Sequence, residues 1–219
     1  MPPARRTAAR KDPHAFRHPR PVPLGPGRPR PRSRGGATAG LHLAQAAALL
    51  GMVARYTDGD RYAEHADAVL DIRNRADALR ITGLGLAEDD ARAFGAVGAA
   101  YALPRDTEEA KKVRTAAIAA ALVEAGRIPA QVIRAAEQVV DLAERLRPIG
   151  NPTVISDVGA AADAARAAAS TARLNVEINL AGLTDPPARS ELSAALAGVD
   201  DLLRRADTVT DDVREQIRR

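Results

Sequence analysis

The sequence predicts an all-α fold, an antiparallel bundle of about seven helices. Hydrophobic residues make up 46% of the chain but aromatic residues only 2%, and Trp is absent. A core built from Ala, Leu, Val and Ile suits closely approaching helices better than a sheet, whose strands favour aromatic and β-branched residues. Apolar residues also recur at helical spacing between Gly, Pro and Asp breaks. At 219 residues the chain can hold one substantial domain.

Residues 1–34 are predicted to be a disordered head outside this bundle. They contain nine Arg and one Lys against one Asp, a net charge of +9, and nine of the fifteen prolines. Such a segment cannot bury a core. Two interpretations stay open. An arm that binds nucleic acid is disfavoured because no aromatic pattern accompanies the arginines. Translation outside the natural coding frame is favoured, since the composition changes abruptly at Gly35, so the folded domain is predicted to span residues 35–219.

The helices of this domain are predicted from periodicity and from breaks. The first is apolar nearly all round, which places it in the middle of a bundle or in a subunit interface. The fourth begins with a capping box formed by Asp106 and Glu109, and Ser156 is predicted as the N-cap of the sixth. The predicted helices are, in order, Ala37 to Tyr56, a second that follows the break at Asp58-Gly59-Asp60 and ends at Leu79, Leu86 to Tyr101, Asp106 to Ala125, Ala130 to Arg145, a sixth that begins at Ser156, and a last that begins at Asp185 and has a break near Gly198.

Composition excludes several classes of function. The chain has no Cys, which rules out disulfides, thiolate metal sites and Cys nucleophiles, and makes the cytoplasm the expected compartment. It shows no uninterrupted apolar run of 18 residues and no secretory signal pattern, so membrane association is not expected. No metal-binding spacing or phosphate loop stands out.

Three consecutive carboxylates, at positions 88–90, provide the candidate catalytic group. Asp90 lies one turn before Phe94, two turns before Val97 and three before Tyr101, on the face expected to be buried, whereas Glu88 and Asp89 point outward. A carboxylate held against apolar surface has a raised pKa, which suits general acid/base work near neutral pH. The alternative is that these acids only complement a helix N-terminus.

Two amides one helical turn apart, Asn175 and Asn179, lie between apolar neighbours in the stretch 174–180. An unpaired buried carboxamide costs about 1–3 kcal/mol. These side chains are therefore expected to hydrogen-bond in one of three ways: to one another across an interface, to a backbone group, or to a polar ligand. A purely structural pair stays an equal alternative.

Five motifs occur in order along the predicted domain. They are a glycine turn at Gly35-Gly36 entering an Ala-rich helix, Tyr62-Ala63-Glu64, Asp90 to Phe94 followed by Leu103-Pro104-Arg105, Gly150-Asn151 with Ser156-Asp157, and Asn175 to Leu180. Together these motifs resemble the cyclodeaminase/cyclohydrolase family of tetrahydrofolate enzymes, which comprises the C-terminal domain of formiminotransferase-cyclodeaminase and the stand-alone methenyltetrahydrofolate cyclohydrolases. Arg105 stands where that family usually has Lys, which keeps the charge but changes its geometry.

The resemblance implies a dimer-forming helical fold, a folate pocket between helices, cytosolic one-carbon metabolism and no metal or nucleotide cofactor. Asp90 is assigned the proton shuttle. The residues implied in substrate binding are Gly35, Gly36, Arg105, Asn151, Ser156, Asp157, Asn175 and Asn179.

Methenyltetrahydrofolate cyclohydrolase is the leading prediction of function, because no formiminotransferase half is attached. Formimidoyltetrahydrofolate cyclodeaminase is the nearest alternative, and an inactive helical dimerisation scaffold is an alternative of another class. The expected partners are a folate substrate and a second copy of the chain, with no nucleic acid and no membrane.

Overall fold

Five helices of 20 residues or more and one short helix build residues 35–219, the part of the chain that the computed structural model describes. No strand occurs among these residues, which confirms the all-α prediction. The α-helices are α1 (Gly35–Tyr56), α2 (Ala66–Tyr101), α3 (Glu108–Leu146), α4 (Ser156–Gly182), α5 (Pro186–Leu196) and α6 (Val199–Arg218), with 3-10 turns at Asp60–His65 and Pro152–Val154. The predicted disorder of residues 1–34 lies outside the described residues.

Helices α1 to α4 form an antiparallel four-helix bundle in which each helix packs against the next and α4 closes on α1. Helix α6 runs antiparallel along α4, where Gly159 faces Val213 and Arg173 pairs with Asp200 at 2.6 Å. Helix α5 packs on α3 and α4. The core contains no aromatic ring among its largest fully buried side chains, which are Leu43, Leu50, Ile72, Leu142, Leu146, Leu192, Val53, Val132, Val139, Val140, Val158 and Val176.

The structure has fewer long breaks than the sequence predicted, so the count of about seven helices is wrong. The predicted second and third helices are one helix, α2, which continues through Gly83 and Gly85. The predicted fourth and fifth are also one helix, α3, with Gly126 and Pro129 inside it. At Gly126 a Cβ would lie 2.4 Å from Leu192 Cδ1, so the Leu192 side chain would have to shift to admit any other residue there.

The helix starts are partly as predicted. Asp185 caps α5, and its side chain accepts a hydrogen bond from the Ala188 N–H at 3.0 Å. The capping box at Asp106 is wrong, because the Thr107 hydroxyl caps α3 by accepting from the Ala110 N–H. Ser156 is also not an N-cap, since it already lies in the first turn of α4.

Two described helices, α1 and α3, contain an 18-residue window that is long and apolar enough to cross a membrane. Length and composition alone are weak evidence, because the core helices of soluble proteins pass the same test. In α1, 56% of that window is buried inside the bundle. The expectation that the chain does not associate with membranes stays a prediction.

Candidate functional site

The start of α1 and the middle of α2 meet at Asp90. A Cβ added at Gly36 would lie 1.9 Å from Asp90 Oδ1, so the carboxylate fills the space that any other residue at position 36 would occupy. Asp90 also accepts a hydrogen bond from the backbone N–H of Ala37. The first N–H groups of a helix have no partner within that helix. Asp90 therefore satisfies one of the unpaired donors of α1 from a neighbouring helix.

Burial raises the pKa of the Asp90 carboxyl above its usual value, and the hydrogen bond from Ala37 opposes this shift more weakly. The predicted direction of the shift is thus confirmed. The two neighbouring carboxylates have different surroundings from Asp90: Asp89 pairs with Arg92, and Glu88 is exposed. All three acids lie well inside α2, so the alternative in which they complement the N-terminus of their own helix is wrong.

Asn175 of α4 lies beside the same glycine turn. A Cβ at Gly35 would be 3.5 Å from Asn175 Nδ2 and 3.6 Å from Oδ1. The amide nitrogen donates to the Thr171 carbonyl at 2.8 Å. Within residues 35–219 the Oδ1 atom has no hydrogen-bond donor, so it is available as an acceptor next to Asp90 and Gly36.

Asn179 lies one turn further along α4, and its side chain forms hydrogen bonds to backbone groups of the bundle. Its Nδ2 donates to the Asn175 carbonyl at 2.8 Å and, across to α3, to the Ala125 carbonyl at 3.4 Å. The two amides were predicted to hydrogen-bond to one another, to backbone or to a ligand. The structure shows both Nδ2 atoms donating to backbone carbonyls. Gly35, Gly36, Asp90 and Asn175 thus come together, with Asn179 adjacent.

Arg105 lies on the turn between α2 and α3, outside this group. Tyr101, the last residue of α2, is already about 16 Å along the helix axis from Asp90. Arg105 is exposed and has no hydrogen bond or ion pair with residues 35–219. Its predicted role in substrate binding stays a prediction.

Asn151, Ser156 and Asp157 lie at the opposite end of α1, about 30 Å from Gly35. Asn151 joins the ends of two helices there: its Nδ2 donates to the Tyr56 carbonyl at 2.7 Å, and its backbone N–H donates to the Thr57 hydroxyl at 3.0 Å. Within one chain, the structure does not bring these three residues to Asp90.

A cleft of about 220 Å³ lies at this opposite end as well. It is lined by groups of both charges, including Arg55, Asp58 and Arg73, and Arg55 is already paired with Asp77 at 2.5 Å. Asp90 does not line it, so the cleft is separate from the candidate catalytic group.

Sequence reasoning missed two features of the site. The first is the backbone N–H of Ala37, which carries no side-chain signal. The second is the contact between Gly40 and Gly83, where α1 and α2 touch backbone to backbone one to two turns from Asp90. Glycines inside two predicted helical regions were the available signal for that contact.

Comparisons with known proteins agree with this arrangement. Residues 27–198 match the family model described as formiminotransferase-cyclodeaminase. The chain is 36% identical over 189 residues to the methenyltetrahydrofolate cyclohydrolase of Methylorubrum extorquens, covering 86% of this chain and 89% of that protein. It is 34% identical to the formimidoyltransferase-cyclodeaminase of Rattus norvegicus over 69% of this chain, but spans only 28% of that longer protein.

A solved structure shows the same fold. The formiminotetrahydrofolate cyclodeaminase of Thermotoga maritima superposes with a TM-score of 0.72 at 27% identity, covering 84% of this chain and 91% of that one. Family model, sequence relatives and fold lead to one assignment, which confirms the resemblance seen in the motifs: the chain belongs to the formiminotransferase-cyclodeaminase family.

Proposed function

We propose that this protein is a methenyltetrahydrofolate cyclohydrolase, which adds water to methenyltetrahydrofolate and opens its bridge to give formyltetrahydrofolate. The observation that carries the proposal is the 36% identity to a protein of that name over nearly the full length of both chains. The half-buried Asp90 beside the start of α1 supplies a group suited to this chemistry.

In the proposed reaction, water attacks the methenyl carbon and one of its protons passes to the Asp90 carboxylate. The tetrahedral carbon then collapses: the bond to one ring nitrogen breaks, that nitrogen takes up the hydroxyl proton, and the carbonyl of the formyl group forms. A carboxyl with a raised pKa can accept and return protons near neutral pH. The Oδ1 of Asn175, which accepts no hydrogen bond from residues 35–219, can accept one from the attacking water or from the pterin.

Cyclodeaminase activity is the second candidate, favoured by the structural match to the Thermotoga maritima enzyme. There the formimino group closes onto the neighbouring nitrogen and ammonia leaves, so the same carboxyl would protonate the leaving amine. Both reactions pass through a tetrahedral carbon and need one proton shuttle. The prediction that neither needs a metal or nucleotide cofactor, and the prediction of a cytoplasmic location, stay predictions.

A pair of neighbouring substitutions tests the assignment. Asp90→Asn keeps the shape of the side chain and an acceptor for the Ala37 N–H but cannot exchange a proton, so turnover should fall by about 10²–10⁴. Asp89→Asn is the matched control, because Asp89 pairs with Arg92 on the surface. Loss of methenyl absorbance measures cyclohydrolase activity, and ammonia release from formiminotetrahydrofolate measures the alternative.

The outcomes are far apart. Equal, near-normal turnover of both variants on both substrates would remove Asp90 from the mechanism. A well-folded wild-type protein without either activity would instead support the inactive scaffold.

We also propose that the protein is a homodimer joined through α1 and α4. Helix α1 has no Asp, Glu, Lys or Arg before Arg55. Leu41 on α1 is 54% exposed, and Leu174 and Ile178 on α4 are 58% and 72% exposed. These two helices pack side by side, so a second copy could cover apolar side chains that a monomer leaves in water.

A further inference from the structure

Helices α1 and α2 approach one another more closely at Gly40 and Gly83 than side chains would allow. A Cβ at Gly40 would lie 2.7 Å from the backbone nitrogen of Ala87 and 2.8 Å from the Gly83 carbonyl oxygen. A Cβ at Gly83 would lie 2.7 Å from the backbone nitrogen of Ala44 and 2.9 Å from the Gly40 carbonyl oxygen. The contact is reciprocal, and the atoms involved are backbone, which cannot turn aside as a side chain can.

This crossing is close to the candidate catalytic carboxylate along both helices. Gly36 precedes Gly40 by one helical turn on α1, and Asp90 follows Gly83 by two turns on α2. Residues spaced in this way share one face of a helix. The same face that brings the two glycines together therefore brings Asp90 onto the first turn of α1.

The carboxylate tolerates little separation of the helices. Asp90 Oδ1 occupies the space of a missing Cβ at Gly36, and the carboxylate accepts a hydrogen bond from the Ala37 N–H. Because an aspartate side chain is short, widening the crossing at Gly83 would move the carboxylate away from that N–H.

We propose that Gly40 and Gly83 are positioning residues for the reaction, because their backbone contact holds α2 close enough to α1 to place the Asp90 carboxylate at the start of α1. The proposal rests on the function proposed above. It assigns to Gly83 a part in turnover that is separate from its part in packing.

The chain provides a matched control two residues away. Gly85 lies on the same helix and is exposed, and a Cβ there meets no atom within 4 Å. Gly83→Ala and Gly85→Ala make the same chemical change and gain the same helix propensity. Only Gly83→Ala adds a methyl group at the crossing. That methyl carbon would lie 2.7 Å from Ala44 N, about 0.7 Å less than an ordinary van der Waals contact distance.

The experiment compares steady-state kinetics and the amide spectrum of the wild-type protein and the two variants. Gly83→Ala should lower kcat about 10-fold or more with KM changed less than about threefold, since misplacement of a reacting group by about 1 Å can cost about 10²-fold. Gly85→Ala should keep both parameters. In a ¹⁵N–¹H spectrum the Ala37 amide should shift in Gly83→Ala and stay at its wild-type position in Gly85→Ala.

Two results overturn the inference while leaving the proposed function intact: a Gly83→Ala protein with wild-type kcat, or one whose Ala37 amide does not move. Wild-type protein inactive on both folates would overturn the proposed function instead. If Gly83→Ala does not fold, Ala87→Ser adds one hydroxyl to the residue whose backbone nitrogen and Cα face Gly40, and the same kinetic and spectral criteria apply to it.

Discussion

Gly36→Ala is the sharpest test of the site, because it adds one methyl group where the Asp90 carboxylate lies. The added Cβ would be 1.9 Å from Asp90 Oδ1 and 2.4 Å from its Cγ. Ordinary contact begins near 3.4 Å, so the carboxylate must move by about 1.5 Å. Displacing a catalytic group by about 1 Å can cost about 10²-fold in rate. We therefore expect kcat/KM to fall at least about 10²-fold, which corresponds to about 2.7 kcal/mol of transition-state stabilisation.

The same change should not unfold the protein. Alanine is favoured over glycine in a helix by up to about 1 kcal/mol, and a half-buried carboxylate can swing toward water. The assay is methenyltetrahydrofolate turnover beside thermal unfolding, with Gly98→Ala as the control, since a Cβ at Gly98 meets nothing within 4 Å. A Gly36→Ala protein with wild-type kcat/KM would refute the placement of the catalytic carboxylate against α1.

Two further predictions concern assembly and pH. Ile178→Asp would bury a charge in the proposed α1/α4 interface, so light scattering should show a monomer. Ile217→Asp is the control, because position 217 on α6 is 59% exposed, and it should leave the dimer intact. A dimeric Ile178→Asp protein would place the interface elsewhere. Burial raises the pKa of Asp90 in the folded state. Between the pKa of the unfolded chain and that of the folded chain, the folded wild-type protein therefore binds more protons than the unfolded one. Its free energy of unfolding, relative to that of Asp90→Asn, should fall as the pH rises through this range. Denaturant unfolding of both proteins across that range measures this, and a difference that does not change with pH would contradict it.

The fold class was predictable because composition and periodicity both report on the core. Ala, Leu, Val and Ile repeat at helical spacing whatever the neighbours are, so the bundle could be read from the chain. The helix ends were harder. Gly83 and Gly126 look like helix breaks in the sequence, yet Gly83 lies where the backbone of α1 approaches too closely for a side chain, and Gly126 packs against Leu192 of α5. That information belongs to the partner helix, which periodicity does not show.

The site was predictable only in part. Asp90 was chosen among three acids because helical spacing places it on the face of Phe94 and Tyr101, which was expected to be buried. That reason is wrong, since Phe94 and Tyr101 are 42% and 52% exposed, and Asp90 is instead covered by the first turn of α1 at Gly36. Asn151 could not be separated from Asn175 in this way. Both are amides in family motifs, but Asn151 joins the ends of α1 and the turn before α4, and only the folded chain shows that it lies at the far end of the bundle.

The hydrogen bond between Asp90 and the Ala37 N–H has a consequence for the stability of the first turn of α1. That turn opens with two glycines, and helix ends fray with little free energy. Asp90 acts there as an N-cap supplied by a different helix. When that turn opens, the carboxylate regains contact with water, and its pKa falls back toward the usual value. Local opening of α1 and the protonation state of Asp90 are therefore coupled, and amide hydrogen exchange near Ala37, corrected for the intrinsic exchange rate at each pH, should be slower while the carboxyl is protonated.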